Sequence, residues 1–226
     1  MWRPGFPCFQ RPVCSVGPAK WRRAGIGLAG LCLLQLAGCA SPPPQHPGNL
    51  CDIFREKRGW YFSAMKEEAH WHVPSAVPMA MMYQESGYHS SLHTKRTYIL
   101  WIIPWGYQTT AYGYPQAKDE VWDEFNQATG RDGSRENFGD SLDFMDWYIA
   151  GNQKNLGIPV TNAAQQYLAY HEGRGGYSRR SYSSKGWLVQ VAGKVGARAR
   201  TYQRQYDSCK ESLKPGFWER FWNAIF

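Results

Sequence analysis

Three short polar segments carry the residue types that acid–base chemistry requires, and the first of them is Gln84–Tyr88. It places a carboxylate, Glu85, at the end of an apolar run that predicts a helix. The aromatic-rich segment that follows is expected to overhang this helix end and to withdraw the carboxylate partly from water. Desolvation disfavours the charged form and raises the pKa. Glu85 is therefore suited to act as a general acid.

The other two segments are Ala111–Gln116 and Ala169–Gly173. In this order the three segments together resemble the soluble lytic transglycosylase (SLT-type) family. Its members carry a Glu-Ser pair at a helix end, a Gly-x-x-Gln segment and an Ala-Tyr-Asn or similar segment. The resemblance covers roughly residues 75–199. It implies a mainly helical, goose-type-lysozyme-like fold and an activity on peptidoglycan.

The resemblance implies a reaction that needs one carboxyl group and no cofactor. Glu85 would protonate the glycosidic oxygen of the β-1,4 bond between N-acetylmuramic acid and N-acetylglucosamine. It would then take the proton of the muramyl C6 hydroxyl, which attacks its own anomeric carbon and gives a 1,6-anhydro sugar. A hydrolase normally needs a second carboxylate, for which Glu172 is the candidate. Adjacent helix residues point in different directions, so Tyr170 and Glu172 are not both expected to face the site.

The same resemblance assigns substrate binding to Ser86, Gln116, Tyr170 and His171. Tyr170 matches a tyrosine that hydrogen-bonds the catalytic carboxyl in the family, and His171 replaces the more common asparagine. The Gln116 amide both donates and accepts, which fits a sugar hydroxyl or an N-acetyl group. Three of these side chains also have an ordinary structural explanation: Ser86 as a helix-terminal serine, Gln116 as a polar residue in a first helical turn and Tyr170 as a core aromatic.

The segment between positions 88 and 114 is rich in aromatic residues and lacks a clear period. Trp105 and Tyr112 are predicted to line a glycan groove, together with Trp101 and Tyr107, because sugar rings stack on aromatic side chains. The same four residues suit a packed core equally well.

The remaining patterns predict a single all-α domain with one long irregular segment. The predicted helices cover residues 49–69, 75–85, 116–128, 140–155, 163–172 and 185–208. Tyr98–Ile103 is predicted as one short strand, which Pro104 and Gly106 close early.

The N-terminal segment predicts export. Lys20, Arg22 and Arg23 precede an uncharged apolar run at residues 24–37, which is the pattern of a secretory signal. This run is shorter than the roughly 20 apolar residues of a membrane-spanning helix. The junction Leu36–Cys39 resembles the bacterial lipobox, in which the cysteine is lipidated and begins the mature chain.

These features divide the chain into four parts. We expect a signal peptide at residues 1–38, a lipid anchor at Cys39 with a proline-rich tether through residue 48, and a folded domain at residues 49–210. Residues 211–226 form an aromatic tail that either lies on a membrane surface or docks onto the domain. The domain is expected to face the periplasm. The resemblance to sorted lipoproteins favours the outer membrane, since Ala40 and Ser41 lack an aspartate retention signal.

Net charge and cysteine content limit which kinds of binding site the sequence can form. Removal of the signal takes five cations and lowers the formal net charge from +8 to +3, so nucleic-acid binding loses its support. Cys51 and Cys209 are the two thiols left in the folded part, which predicts a disulfide in an oxidising compartment. A metal site at these two cysteines is not predicted, because it would need more ligands at shorter spacing.

A peptidoglycan lytic transglycosylase is the leading interpretation, with glycan strands as substrate and the membrane as a partner through the lipid anchor. Two alternatives stay open at this point. One is a catalytically weak peptidoglycan-binding or scaffolding lipoprotein of the envelope, and the other is a hydrolase of the lysozyme kind.

Overall fold

The protein is described by a computed structural model over residues 41–99 and 103–216. In this part of the chain it is mainly helical, with seven helices and a two-stranded sheet, so the predicted fold class is confirmed. The elements are α1 (Leu50–Glu56), α2 (Arg58–Trp71), α3 (Ala76–Ser86), β1 (Arg96–Ile99), β2 (Ile103–Tyr107), α4 (Asp119–Thr129), α5 (Phe138–Leu156), α6 (Ala163–Ser178), a 3₁₀ turn (Ser181–Ser184) and α7 (Gly186–Leu213).

Helix α3 lies at the centre of the domain. Its residues from Met79 to Met82 are completely buried, and a helix that is apolar on all sides must be enclosed by its neighbours. Helices α5, α6 and α7 all pack against it. The helix ends at Gly87, whose φ of 58° is the left-handed conformation that glycine adopts without steric cost. The core thus holds the last turn of α3, which carries Glu85, in a fixed place.

Several predicted helix boundaries differ from the structure, and the helices predicted to end at residues 172 and 208 extend to Ser178 and Leu213. The helix predicted over residues 49–69 is interrupted at Lys57, which has φ −107° and ψ 70° and separates α1 from α2. The helix predicted to start at Gln116 starts at Asp119. Gln116 instead lies in a turn with a φ of 52°, a left-handed conformation that is incompatible with a helix.

The single predicted strand is also wrong, because the segment forms a hairpin. Strands β1 and β2 pair antiparallel with an irregularity between Thr97 and Tyr98. Pro104 and Gly106 lie inside β2 instead of closing a strand. A two-stranded sheet consists only of edge strands, and an edge tolerates a proline that has no N–H to donate.

The ends of the domain are joined by the predicted disulfide between Cys51 in α1 and Cys209 in α7, which is confirmed. The chain just before α1 also packs on α7. The Tyr202 hydroxyl donates to the Pro47 carbonyl, and Gln205 Nε2 donates to the Gly48 carbonyl at 3.2 Å. Pro47 and Gly48, assigned above to the tether, are therefore held on the domain.

Three carboxylates are buried between α2 and α5, and we call Glu67, Asp143 and Asp146 the carboxylate cluster. Each is at most 2 % exposed. Asp143 accepts a hydrogen bond from Trp71 Nε1 at 2.7 Å and pairs with Arg131 at 2.5 Å. Burial and the neighbouring carboxylates raise the pKa of Asp146 well above its ordinary value. Nothing in the sequence pattern predicted this cluster.

Several predictions fall outside the described residues, namely those on the signal peptide at residues 1–38, Cys39, Ala40, Trp101 and residues 217–226. Within residues 41–99 and 103–216, no helix combines the length and the hydropathy needed to cross a bilayer. The same residues contain no group of three or more His, Cys, Asp or Glu side chains arranged to hold a metal ion.

Candidate active site

A cavity of about 510 Å³ opens at the C-terminal end of α3. Its wall combines residues from the three polar segments of the sequence, with Glu85, Gln116 and Tyr170 all lining it. Helices α4 and α5 add apolar and aromatic surface, and the approach to β1 adds Thr94. The further lining residues are Ala111, Ala117, Lys118, Val121, Phe144, Tyr148, His171, Glu172 and Gly173.

Glu85 is the acid of this cavity. Its side chain is partly buried at the end of α3 and accepts a hydrogen bond from the Tyr167 hydroxyl. Burial raises the pKa of Glu85 to about 7, although the Tyr167 hydrogen bond lowers it in part. A carboxyl group with this pKa holds its proton in a large fraction of molecules near neutral pH, and it can both give up and take back a proton there.

The tyrosine that contacts the carboxyl is not the one predicted. The Tyr170 hydroxyl donates to the Pro115 carbonyl at 2.6 Å, and the carboxyl contact comes from Tyr167 instead. Both residues belong to α6 and lie three positions apart, so they share a face of the helix. Sequence reasoning missed Tyr167, and this spacing is the signal that could have found it. Tyr170 still lines the cavity, where it packs edge-on against Tyr148.

Gln116 is held in an unusual conformation by the turn that precedes α4. Gly113 permits this turn, since it has a φ of 78° and a Cβ on it would overlap the Arg135 carbonyl. Gln116 Nε2 donates to the Leu92 carbonyl at 2.7 Å and to the Gly113 carbonyl at 2.9 Å. Because both amide hydrogens are engaged, Gln116 presents its amide oxygen as an acceptor for a hydroxyl or N–H group of a ligand.

His171 and Glu172 also line the cavity. The Tyr170 hydroxyl is taken by the Pro115 carbonyl, and the Glu172 carboxylate is bound by Lys185 and Ser181. That Tyr170 and Glu172 do not both face the site stays a prediction. Gly173 also lines the cavity, and it interrupts α6 with φ 71° and ψ 160°. Lys185 and Ser181 donate hydrogen bonds to the Glu172 carboxylate. These two bonds are the main reason that the pKa of Glu172 is lowered to about 2.

A comparison with known protein families agrees with the way the three polar segments meet at this cavity. The transglycosylase SLT domain family matches residues 27–209, which is most of the chain. The protein belongs to the transglycosylase SLT domain family. Its match begins inside the segment predicted as a signal peptide. No curated protein and no solved structure shows a significant match. Membership supports a lytic transglycosylase-type function related to peptidoglycan.

Ser86 lies next to Glu85 in this SLT domain but is not among the residues that line the cavity. Its side chain is buried, and its hydroxyl donates to the Met82 carbonyl at 3.3 Å within α3. This is the bond that serine and threonine make to the residue four positions earlier in a helix. A contact between Ser86 and substrate stays a prediction.

Trp105 and Tyr112 also lie outside the cavity of the SLT domain. Trp105 is 74 % exposed on β2, so a core role for it is wrong. Tyr112 stacks on His93 with 4.1 Å between ring centroids, and Tyr107 stacks on His93 at 4.2 Å. These three rings line a separate depression with Arg135. Their role in glycan binding stays a prediction.

Proposed function

We propose that the protein is a peptidoglycan lytic transglycosylase that cleaves the β-1,4 bond between N-acetylmuramic acid and N-acetylglucosamine, with Glu85 as its acid and base. The observation that carries this proposal is the environment of Glu85. A carboxyl with a pKa of about 7 lies in a cavity lined by the residues of the family motifs, with a tyrosine hydroxyl donating to it.

In the first step, Glu85 donates its proton to the glycosidic oxygen as the bond from the muramyl C1 to that oxygen breaks. N-acetylglucosamine leaves as an alcohol, and positive charge develops at C1. The Glu85 carboxylate formed in this step is stabilised by the hydrogen bond that the Tyr167 hydroxyl donates.

In the second step, the Glu85 carboxylate takes the proton of the muramyl C6 hydroxyl. The C6 oxygen then bonds to C1, which closes the 1,6-anhydro ring and returns Glu85 to its protonated form. No water is consumed. A carboxyl whose pKa is close to the working pH suits both transfers, since it is neither too weak an acid nor too weak a base.

The state of the other carboxylate in the cavity favours this mechanism over hydrolysis. Glu172 Oε1 accepts from Lys185 at 2.7 Å and from His171 at 3.1 Å, and Oε2 accepts from Ser181. With a pKa of about 2 and both oxygens engaged, Glu172 is a poor base for activating water.

The products test this proposal directly. Purified cell-wall sacculi are incubated with the protein, and the soluble fragments are analysed by mass spectrometry. We expect muramyl ends that are one water lighter than reducing ends, because the C6 hydroxyl replaces water as the nucleophile. Reducing ends would show a hydrolase, and the absence of any soluble fragment would indicate the non-catalytic binding lipoprotein.

Replacement of Tyr167 by phenylalanine is expected to lower the rate of fragment release about tenfold. The lost hydrogen bond stabilised the Glu85 carboxylate, so its removal also raises the pKa of Glu85 further. The descending limb of the pH–rate profile, which reports loss of the Glu85 proton, should move to higher pH. Tyr206→Phe removes a hydroxyl that contacts Met65 and should leave the profile in place. An unshifted profile for Tyr167→Phe would contradict the assigned hydrogen bond.

We further propose that the domain is attached to the bacterial envelope by a lipid on Cys39 and faces the periplasm, with the outer membrane favoured. The lipobox-like residues before Cys39 and the short apolar run support this. An enzyme that acts on peptidoglycan needs such access to the cell wall.

A further inference from the structure

His171 is oriented by a buried carboxylate. Its Nδ1 lies 3.1 Å from Glu172 Oε1, while the Glu172 side chain is only 4 % exposed. Glu172 is in turn fixed by Lys185 from the start of α7 and by Ser181 from the 3₁₀ turn. A carboxylate on one imidazole nitrogen selects the tautomer with its proton there and sets the direction of the ring.

The orientation of His171 leaves its other nitrogen for a ligand. The ring is 36 % exposed and lines the same cavity as Glu85. Because Nδ1 carries the proton toward Glu172, Nε2 is left as an acceptor in the neutral ring. The amino sugars of a glycan strand offer hydroxyl and N–H donors for such an acceptor.

Trp187 packs against His171, which is one of the residues that line the cavity. Its ring meets the His171 ring edge-to-face, with 5.3 Å between centroids, and the residue is 57 % exposed in the first turn of α7. An indole left mainly in water beside a cavity wall offers a flat apolar face, and sugar rings present C–H faces that stack on such surfaces. Hydrogen bonding at His171 and stacking at Trp187 would then act on neighbouring parts of one ligand.

We propose that Glu172 is a positioning residue that holds His171 as a hydrogen-bonding contact for an N-acetylated amino sugar of the glycan strand, and that Trp187 stacks on the sugar beside His171. This inference rests on the proposed function. It adds to the proposed function a positioning role for Glu172 and a stacking role for Trp187, which lies outside the three family segments.

The test is a double-mutant cycle in the Glu85→Gln background, where the ligand is not consumed. The probe is a tetrasaccharide of alternating N-acetylglucosamine and N-acetylmuramic acid, and its Kd is measured by calorimetry. We expect His171→Ala and Glu172→Ala each to raise the Kd about tenfold. The double variant should be no worse than His171→Ala alone, because Glu172 acts through His171. Glu211→Ala, which removes an exposed carboxylate near the end of α7, is the matched control.

Trp187 is tested with two variants of the same protein. Trp187→Ala is expected to raise the Kd about fivefold. Trp187→Phe, which keeps an aromatic face, should stay within about twofold of the parent. An equal rise in Kd for Trp187→Ala and Trp187→Phe would overturn the stacking role.

A second readout separates positioning from general damage to the fold. The ¹⁵N shifts of the His171 ring should show the Nδ1–H tautomer in the parent and its loss in Glu172→Ala. If Glu172→Ala fails to fold, Glu172→Gln is used instead, because it keeps the shape of the side chain and an acceptor oxygen. We expect its Kd for the tetrasaccharide to be about threefold higher than that of the parent.

The outcomes also distinguish this inference from the proposed function. Additive losses in the double variant, or a Kd for Glu172→Ala within twofold of the parent, would overturn the positioning role even where sacculi yield anhydro ends. Absence of tetrasaccharide binding together with absence of fragment release would overturn both proposals.

Discussion

Replacement of Glu85 by glutamine is expected to lower the release of soluble fragments from sacculi about a thousandfold. Glutamine keeps the size of the side chain and an acceptor for the Tyr167 hydroxyl, but it has no proton to give to the glycosidic oxygen. A positioned acid–base group contributes roughly 10² to 10⁴ in rate, and in the proposed mechanism one group serves both steps. The measurement is the initial rate of fragment release, followed by mass spectrometry.

Two comparisons make the Glu85→Gln result specific. Binding of the variant to sacculi should equal that of the wild type, since only the acid is lost. Glu211→Gln changes an exposed carboxylate in the same way and should keep the full rate. If Glu85→Gln retained a tenth or more of the wild-type rate, another residue would have to be the acid.

The same variant should be more stable than the wild type at alkaline pH. The pKa of Glu85 rises from 4.5 to about 7 on folding. Its contribution to stability is therefore present in full below pH 4.5 and is lost as the pH rises through 7. Above pH 7, Glu85→Gln should raise the free energy of unfolding by up to about 3 kcal/mol. Equal melting temperatures at pH 8 would contradict the raised pKa independently of any activity.

Removal of the disulfide is expected to have the largest effect on stability. Cys51 and Cys209 are separated by 158 positions, and cross-linking a loop of this length lowers the entropy of the unfolded chain. The double variant Cys51→Ser with Cys209→Ser should lose about 4–5 kcal/mol of unfolding free energy in the chain-entropy model. For a domain of this size, that corresponds to a melting temperature roughly 10–15 °C lower.

Urea unfolding, monitored by circular dichroism, measures this difference. A thiol reductant should lower the unfolding midpoint of the wild type to that of the double variant and leave the double variant unchanged. If the wild type and the double variant unfolded at the same urea concentration, the disulfide would not form in solution.

The parts of the site that could be predicted from sequence are those set by local rules. The apolar run before Glu85 and the glycine after Ser86 predict a buried helix that ends with an acid beside it, and the structure contains this helix. The disulfide followed from counting the cysteines left after the signal. The period of the hydrophobic residues and the position of a glycine depend on nearby residues, so predictions made from them hold in the folded chain.

The parts that were missed depend on tertiary contacts. The Tyr170 hydroxyl donates to the Pro115 carbonyl, which lies 55 positions away in the sequence. Tyr167, and not Tyr170, is therefore the tyrosine that donates to Glu85. The turn at Gln116 requires the backbone of Arg135 to approach Gly113, and no local propensity encodes that approach. Sequence pattern therefore located the segments of the site, whereas the packing of distant segments decided which atoms meet.

The carboxylate cluster between α2 and α5 has a consequence for the whole domain. Burial and mutual repulsion raise the pKa of Asp143 and Asp146, as burial does for Glu85. The folded chain therefore binds protons that the unfolded chain releases, so folding is favoured as the pH falls toward the ordinary carboxyl range. Mild acidity thus both protonates Glu85, as the proposed mechanism requires, and stabilises the helices that position it.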